Sequence, residues 1–174
     1  MKQERKRQIE QVAETIRDAL QLNNEKVDLD EVITAGLGGE IIKFNDRNKH
    51  EEVIKLGEES FLIEINGTHS MTRQRISIAH EIGHLFLHMR YLTDEWGSIE
   101  SGHSYDKAIG SRTQLEQEAN VFAAAFLMPE DGFKTVAEQT SDENDYYDFD
   151  QIARYYDVSI DAVIYRGKNI GLWK

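Results

Sequence analysis

One segment, residues 70–89, constrains the fold more than any other part of the chain. Read as a helix with about 100° between successive residues, it places Ile78 and Ile82 on one side and Ile76 and Gly83 nearly opposite. A surface helix has a single apolar stripe, whereas a helix with two must be covered by protein on both. The pattern therefore predicts a central helix.

The same helix contains an H-E-x-x-H motif that runs from His80 to His84. The two histidines differ by about 40° in direction and about 6 Å along the axis, so both rings can reach one ion. Glu81 points about 60° away from His84, where it can act as a general base without binding the metal. Because the chain has no cysteine, the other ligands must be His, Asp or Glu. The motif predicts a zinc site, and the alternative is a pair of histidines that only satisfy hydrogen bonds in a core.

A second helix, predicted over residues 114–128, offers the third ligand. Glu116 and Glu118 point about 200° apart on a helix, so only one of them can face the metal. Asn120 lies four residues after Glu116 on the same face, where its amide could accept the outer N–H of a ligating histidine. We therefore choose Glu116 as the ligand, Asn120 as its supporting neighbour, and Glu118 as a surface or rim carboxylate.

Three further residues are weaker candidates. His88 lies eight residues after His80, about 12 Å along the helix, which is too far for the same ion, so we expect a supporting or packing role. The stretch from Tyr91 to Thr113 has no periodic pattern and is expected to be a functional or mobile loop. Tyr105 and His103 within it are candidate donors to the oxyanion of a reaction.

Composition limits the possible partners. The chain has 174 residues, with 20 Lys or Arg against 32 Asp or Glu, a formal charge of −12. This length suits one domain, and an acidic protein is repelled by nucleic-acid phosphates and anionic membranes. We therefore expect no membrane partner and no direct nucleic-acid binding. The start of the chain lacks a secretory pattern, which predicts a cytoplasmic protein. It also contains a basic cluster, Lys2, Arg5, Lys6 and Arg7, which is expected to form a solvated helix face.

The remaining pattern predicts a mixed α and β chain. An amphipathic helix is expected over residues 5–22, and strands are expected within Gly36–Phe44 and Phe61–Ile65. Short helices are expected near residues 130–138, 149–156 and 159–167, with an acidic surface linker over Ser141–Asp150. The domain would then comprise an N-terminal helix and small sheet (1–69), zinc-site helices (70–129) and a helical C-terminal section (130–174).

These motifs resemble the ImmA/IrrE family of zinc metallo-endopeptidases. The resemblance lies in Arg75–Ala79 followed by His80–His84, and in the run from Glu116 to Pro129, EQEANVFAAAFLMP. The segment Phe149–Trp173 is also similar to the closing helices of the family. The arrangement is similar to that of gluzincin peptidases, where a later helix supplies a glutamate and a following Asp or Asn. The resemblance implies a minimal zincin of the α+β class.

The resemblance also implies a function. Members of the family are regulatory proteases that cleave a helix-turn-helix repressor encoded nearby and relieve repression of phage, mobile-element or stress-response genes. Larger relatives carry a sensor domain after the peptidase, which this chain is expected to lack. Here Zn²⁺ would be held by His80, His84 and Glu116, and Glu81 would take a proton from the attacking water and pass it to the leaving amine.

Several alternatives remain open. The protein could be an antirepressor that binds its repressor without cleaving it and uses zinc only for structure, or a zinc hydrolase acting on a small molecule or cell-wall peptide. Residues 149–167 could form a DNA-binding helix-turn-helix, but residues 141–174 hold four basic against seven acidic side chains. A peptide substrate could add to an open sheet edge at Phe61–Ile65.

Overall fold

The computed structural model describes residues 1–46, 48–104, 112–143 and 146–173. A small sheet surrounded by helices gives the α+β class, as predicted. The elements follow in the order α1 (Gln3–Ala19), α2 (Leu29–Glu31), a π-helical turn (Val32–Gly36), β1 (Glu40–Phe44), β2 (Glu52–Lys55), β3 (Phe61–Asn66), α3 (Met71–Leu87), α4 (Asp94–Gly97), α5 (Arg112–Leu127), α6 (Glu130–Gln139), α7 (Phe149–Tyr156) and α8 (Ile160–Asn169).

The sheet has three strands in the order β1-β3-β2. The central strand, β3, pairs parallel with β1 and antiparallel with β2, and both Ile41 and Val53 lie opposite Ile63. The expectation of an open edge at Phe61–Ile65 is therefore wrong, because both sides of that strand are already hydrogen-bonded. The short strand β2, which the sequence pattern did not reveal, occupies one side of β3, and β1 occupies the other.

Helix α3 is central, as its two-sided pattern predicts. Ser70 begins the helix by accepting a hydrogen bond from the backbone N–H of Arg73. Ile82 is fully buried, and on the other side Gly83 lies against α5 so closely that a Cβ there would be 3.1 Å from Cα of Ala119. The glycine thus lets two helix backbones meet.

Two buried arginines hold the C-terminal end of α5. Arg17 of α1 donates from Nη1 to the carbonyl of Phe126 at 2.6 Å, and Arg166 of α8 donates from Nε to the carbonyl of Met128 at 2.8 Å. The last carbonyls of a helix lack donors from their own helix and carry partial negative charge. The two guanidinium groups satisfy these carbonyls and connect α1 and α8 to α5.

Residues 91–104 lie in the expected functional or mobile loop, and polar contacts hold them to the rest of the chain. Nζ of the buried Lys55 donates to the carbonyls of Trp96 at 2.6 Å and Ile99 at 2.8 Å. The indole N–H of Trp96 donates to the carbonyl of Glu58, and the hydroxyl of Tyr91 donates to that of Leu37. Polar side chains anchor this segment, which explains why it lacks an apolar period. Residues 105–111 lie outside the described residues.

The other predicted helices lie close to their expected bounds. Helix α1 ends at Ala19, earlier than expected, and is followed by Gln21 in the left-handed region with φ of 55°. Helices α6, α7 and α8 match the three predicted C-terminal helices to within a few residues. Within the described ranges, none of the helices combines the length and apolar character that a bilayer crossing requires.

The contact at Gly83 gives a first prediction. Gly83→Ala should lower the free energy of unfolding by about 1–3 kcal/mol, because the added methyl group meets the backbone of Ala119 rather than a side chain that can move away. Gly97→Ala is the matched control, since no heavy atom lies within 4 Å of its added Cβ, and it should change stability by less than about 0.5 kcal/mol. Urea denaturation measures both, and equal stabilities would show that the two helices do not depend on the glycine.

Candidate metal centre

Three side chains from α3 and α5 converge at one point. The Nε2 atoms of His80 and His84 lie 2.9 Å apart. Glu116 places Oε2 3.2 Å from Nε2 of His80 and Oε1 3.5 Å from Nε2 of His84. Ligand atoms around a tetrahedral zinc ion at 2.0–2.1 Å stand about 3.3 Å from one another, so these separations fit a common ion. Among the residues that the structure describes, these three form the group close enough to hold a metal.

Asn120 fixes the orientation of the first histidine. Its Oδ1 lies 2.9 Å from Nδ1 of His80, where the amide oxygen accepts the ring N–H. The proton on Nδ1 leaves Nε2 of His80 with a lone pair directed at Glu116 and His84. Because Asn120 is one helical turn after Glu116 on α5, the same helix brings both the carboxylate and the supporting amide to α3.

His88 contacts the second histidine instead of joining the convergent group. Its Nδ1 lies 2.8 Å from Nδ1 of His84, on the side of the ring away from His80 and Glu116. Nε2 of His88 lies 3.6 Å from Oε2 of Glu118. The structure thus gives His88 the supporting location that its distance along α3 predicts.

Glu118 differs from expectation. Its side chain is 2% exposed, so the interpretation as a surface or rim carboxylate is wrong. Arg5 of α1 donates to its Oε2 at 2.5 Å, and Gln114 donates to Oε1 at 3.1 Å. The hydrogen bond from Arg5 is the main reason that the pKa of Glu118 falls to about 2. The expected solvated face of α1 is correspondingly wrong at Arg5, whose partner is 113 residues away in sequence.

Glu81 lies next to the convergent group in a cleft of about 410 Å³. Its side chain is buried, and the cleft is also lined by His80, Glu116 and Asn120. Burial disfavours the charged form of His80, but a second proton on Nε2 can be donated to Glu116 and is attracted by the charges of Glu81 and Glu116. These effects outweigh burial and raise the pKa of His80. A cation in this cleft would therefore compete with a proton for His80.

Glu51 is a cleft residue that the sequence did not indicate. It lies just before β2, and its carboxylate accepts hydrogen bonds from Oγ of Ser77 at 2.8 Å and from the backbone N–H of Asn66 at 3.1 Å. These contacts connect the edge of the sheet to α3 beside the cleft. The only available signal was a charged residue before a four-residue strand, which is too short to recognise from its pattern.

The two candidate oxyanion donors receive no support from the geometry. His103 is exposed and lies beside β2, where its carbonyl accepts from the backbone N–H of Lys55 at 2.9 Å. It is not among the described residues that line the cleft. Tyr105 lies outside the described residues.

The sequence matches the IrrE N-terminal-like domain family, Peptidase M78, over residues 32–168. The chain belongs to this family, which confirms the predicted resemblance and its α+β zincin-like fold. It is therefore a metallopeptidase-like domain whose His80, His84 and Glu116 are close enough to bind a metal.

A solved structure with a similar fold is that of a Mycobacterium tuberculosis transcriptional regulator. The TM-score is 0.60 at 18% identity, with 92% of this chain and 46% of that chain covered. The present chain therefore spans less than half the length of that protein, and the likeness shows the fold alone. No curated protein matches the sequence at a significant level.

The geometry predicts different results for two glutamates on the same helix. Glu116→Gln should lower zinc affinity by more than about 100-fold, beyond the range typical of groups that only support a ligand, because it removes a charged donor. Glu118→Gln makes the same chemical change two residues away, at a side chain outside the convergent group, and should lower zinc affinity by at most about 100-fold. Equilibrium dialysis with metal analysis measures both, and the reverse pattern would overturn the choice of Glu116.

Proposed function

We propose that this protein is a zinc-dependent endopeptidase that hydrolyses a peptide bond in a protein substrate. The observation that carries the proposal is the convergence of His80, His84 and Glu116 beside the buried carboxylate of Glu81. Two imidazoles and one carboxylate form a ligand set used by catalytic zinc sites, which keep a further position open. Membership of a metallopeptidase family supports the same chemistry.

Each side chain has a distinct role in this proposal. His80, His84 and Glu116 would hold a zinc ion, which lowers the pKa of water toward about 7 and polarises the scissile carbonyl. Glu81 takes the proton from the attacking water and then delivers it to the leaving amine. Asn120 accepts a hydrogen bond from Nδ1 of His80, which keeps the lone pair on Nε2 directed toward the metal position.

The shape of the site supports a polymeric substrate. The cleft shares Ile76, Asn120 and Ser159 with a neighbouring groove of about 300 Å³ that is lined mainly by apolar residues of α5 and α8. Two connected depressions can hold successive side chains of an extended peptide, whereas a small molecule would fill only one. This shape favours a protein substrate over the small-molecule alternative.

We further propose that the substrate is a helix-turn-helix repressor. The resemblance to ImmA/IrrE proteases supports this substrate class. The charge of −12 supports it independently, because DNA-binding domains carry basic surfaces that an acidic protein attracts. The competing hypothesis is an antirepressor that sequesters the same repressor without cutting it.

Glu81→Gln distinguishes cleavage from sequestration. The variant should fold and bind zinc as the wild type does, but cleave about 100- to 10,000-fold more slowly, because it cannot accept a proton. The test incubates each protein with the purified repressor encoded by the neighbouring gene, follows the appearance of two fragments, and includes a chelator control.

The same variant tests the antirepressor hypothesis in cells. If zinc-loaded, folded Glu81→Gln relieves repression as well as the wild type, proteolysis is not the mechanism. Loss of both cleavage and derepression, with zinc retained, is the result expected of a protease.

A further inference from the structure

A row of four side chains connects His84 to the N-terminal helix. Nδ1 of His84 lies 2.8 Å from Nδ1 of His88, Nε2 of His88 lies 3.6 Å from Oε2 of Glu118, and Arg5 donates to that oxygen at 2.5 Å. His84, His88 and Glu118 are almost completely buried, while Arg5 reaches them from the surface of α1. The row begins on the side of His84 that faces away from the convergent group.

One order of donors and acceptors for neutral rings agrees with every contact in the row. Arg5 can only donate and the Glu118 carboxylate can only accept. The carboxylate favours a proton on the nearer nitrogen of His88, Nε2, which leaves Nδ1 of His88 as an acceptor. Nδ1 of His84 then carries the donated proton, and Nε2 of His84 presents its lone pair to His80 and Glu116. This order gives His84 the tautomer that a metal ligand requires.

We propose that Glu118 is a positioning residue for the metal centre, acting through His88 to fix the ring orientation and tautomer of His84, with Arg5 holding Glu118 in place. This inference rests on the proposed metal-binding role of His84. It gives each histidine ligand its own support, since Asn120 contacts Nδ1 of His80 as His88 contacts Nδ1 of His84. It also gives a role in the site to α1, which precedes the family-matched residues 32–168.

The alternative is that the row only docks α1 onto the rest of the domain. The chain offers a matched control, because the buried Arg166 also forms an ion pair with α1. Its Nη1 lies 2.6 Å from Oε1 of Glu10, and its Nε donates to the carbonyl of Met128. Glu10→Gln therefore weakens a similar attachment of α1 through residues that do not contact His80, His84 or Glu116.

The experiment compares the full-length wild type, Glu118→Gln and Glu10→Gln. Zinc affinity is measured by competition with a chromogenic chelator, coordination by the visible spectrum of the cobalt(II) form, and stability by urea denaturation without metal. Glu118→Gln should lower zinc affinity about 10- to 100-fold and alter the cobalt spectrum. Glu10→Gln should reduce stability to a similar extent, but leave zinc affinity within about twofold of the wild type and the cobalt spectrum unchanged.

Two outcomes would overturn the inference, and only the first would also refute the proposed metal centre. A wild type that binds neither zinc nor cobalt refutes the proposed metal centre and this inference with it. A wild type that binds zinc, together with a Glu118→Gln variant of equal affinity and unchanged cobalt spectrum, refutes only the positioning role.

A second pair of variants decides the question if Glu118→Gln does not fold. His88→Leu removes the acceptor that faces His84, whereas His88→Asn retains a carbonyl oxygen near the position of Nδ1. The first should lower zinc affinity about tenfold and the second should restore most of the loss. Equal affinities in the two variants would contradict the proposal.

Discussion

The close approach of α3 and α5 at Gly83 is the contact on which the site depends. Because Gly83 has no side chain, the α5 backbone at Ala119 lies against α3, and Glu116 reaches the two histidines on the same turn of α3. A larger residue would move the helices apart by a few tenths of an ångström. The same movement would carry Glu116 away from the two histidines, so the backbone contact and the metal geometry are set together.

Apolar packing brings α5 to this place but does not fix its position along its own axis. The helix is apolar on most sides, and apolar contacts are compatible with more than one axial position. Hydrogen bonds are directional, and α5 receives them from arginines at two places along its length. Arg5 donates to Glu118 near the middle of the helix, and Arg17 and Arg166 donate to the carbonyls of Phe126 and Met128 at its C-terminal end. Removing any one of these arginines would take a donor away from a buried polar group, which is more costly than the net value of the bond.

Sequence reasoning can predict which side chains come together where spacing within one element carries the information. The pairing of His80 with His84, and the choice of Glu116 with Asn120 over Glu118, follow from helical geometry alone, and the structure brings these side chains together. The same geometry could not place Glu118, because the Arg5 that covers it belongs to a helix whose position depends on the whole fold. Lys55 and β2 were missed for the same reason: the carbonyls that bind Lys55 lie about 40 residues further along the chain, and β2 is defined by its pairing with β3.

The two histidines are supported by groups of different origin. Asn120 lies on the same helix as Glu116, so any shift of α5 moves the supporting amide and the carboxylate together. The support of His84 passes through His88 and Glu118 to Arg5, and therefore depends on the docking of α1. If Glu118 positions His84, linkage requires the dependence to run both ways: metal binding stabilises the docked α1 by the same free energy by which docking strengthens metal binding. The docking of the N-terminal helix would then be more stable when a metal is bound, although the helix does not contact His80, His84 or Glu116.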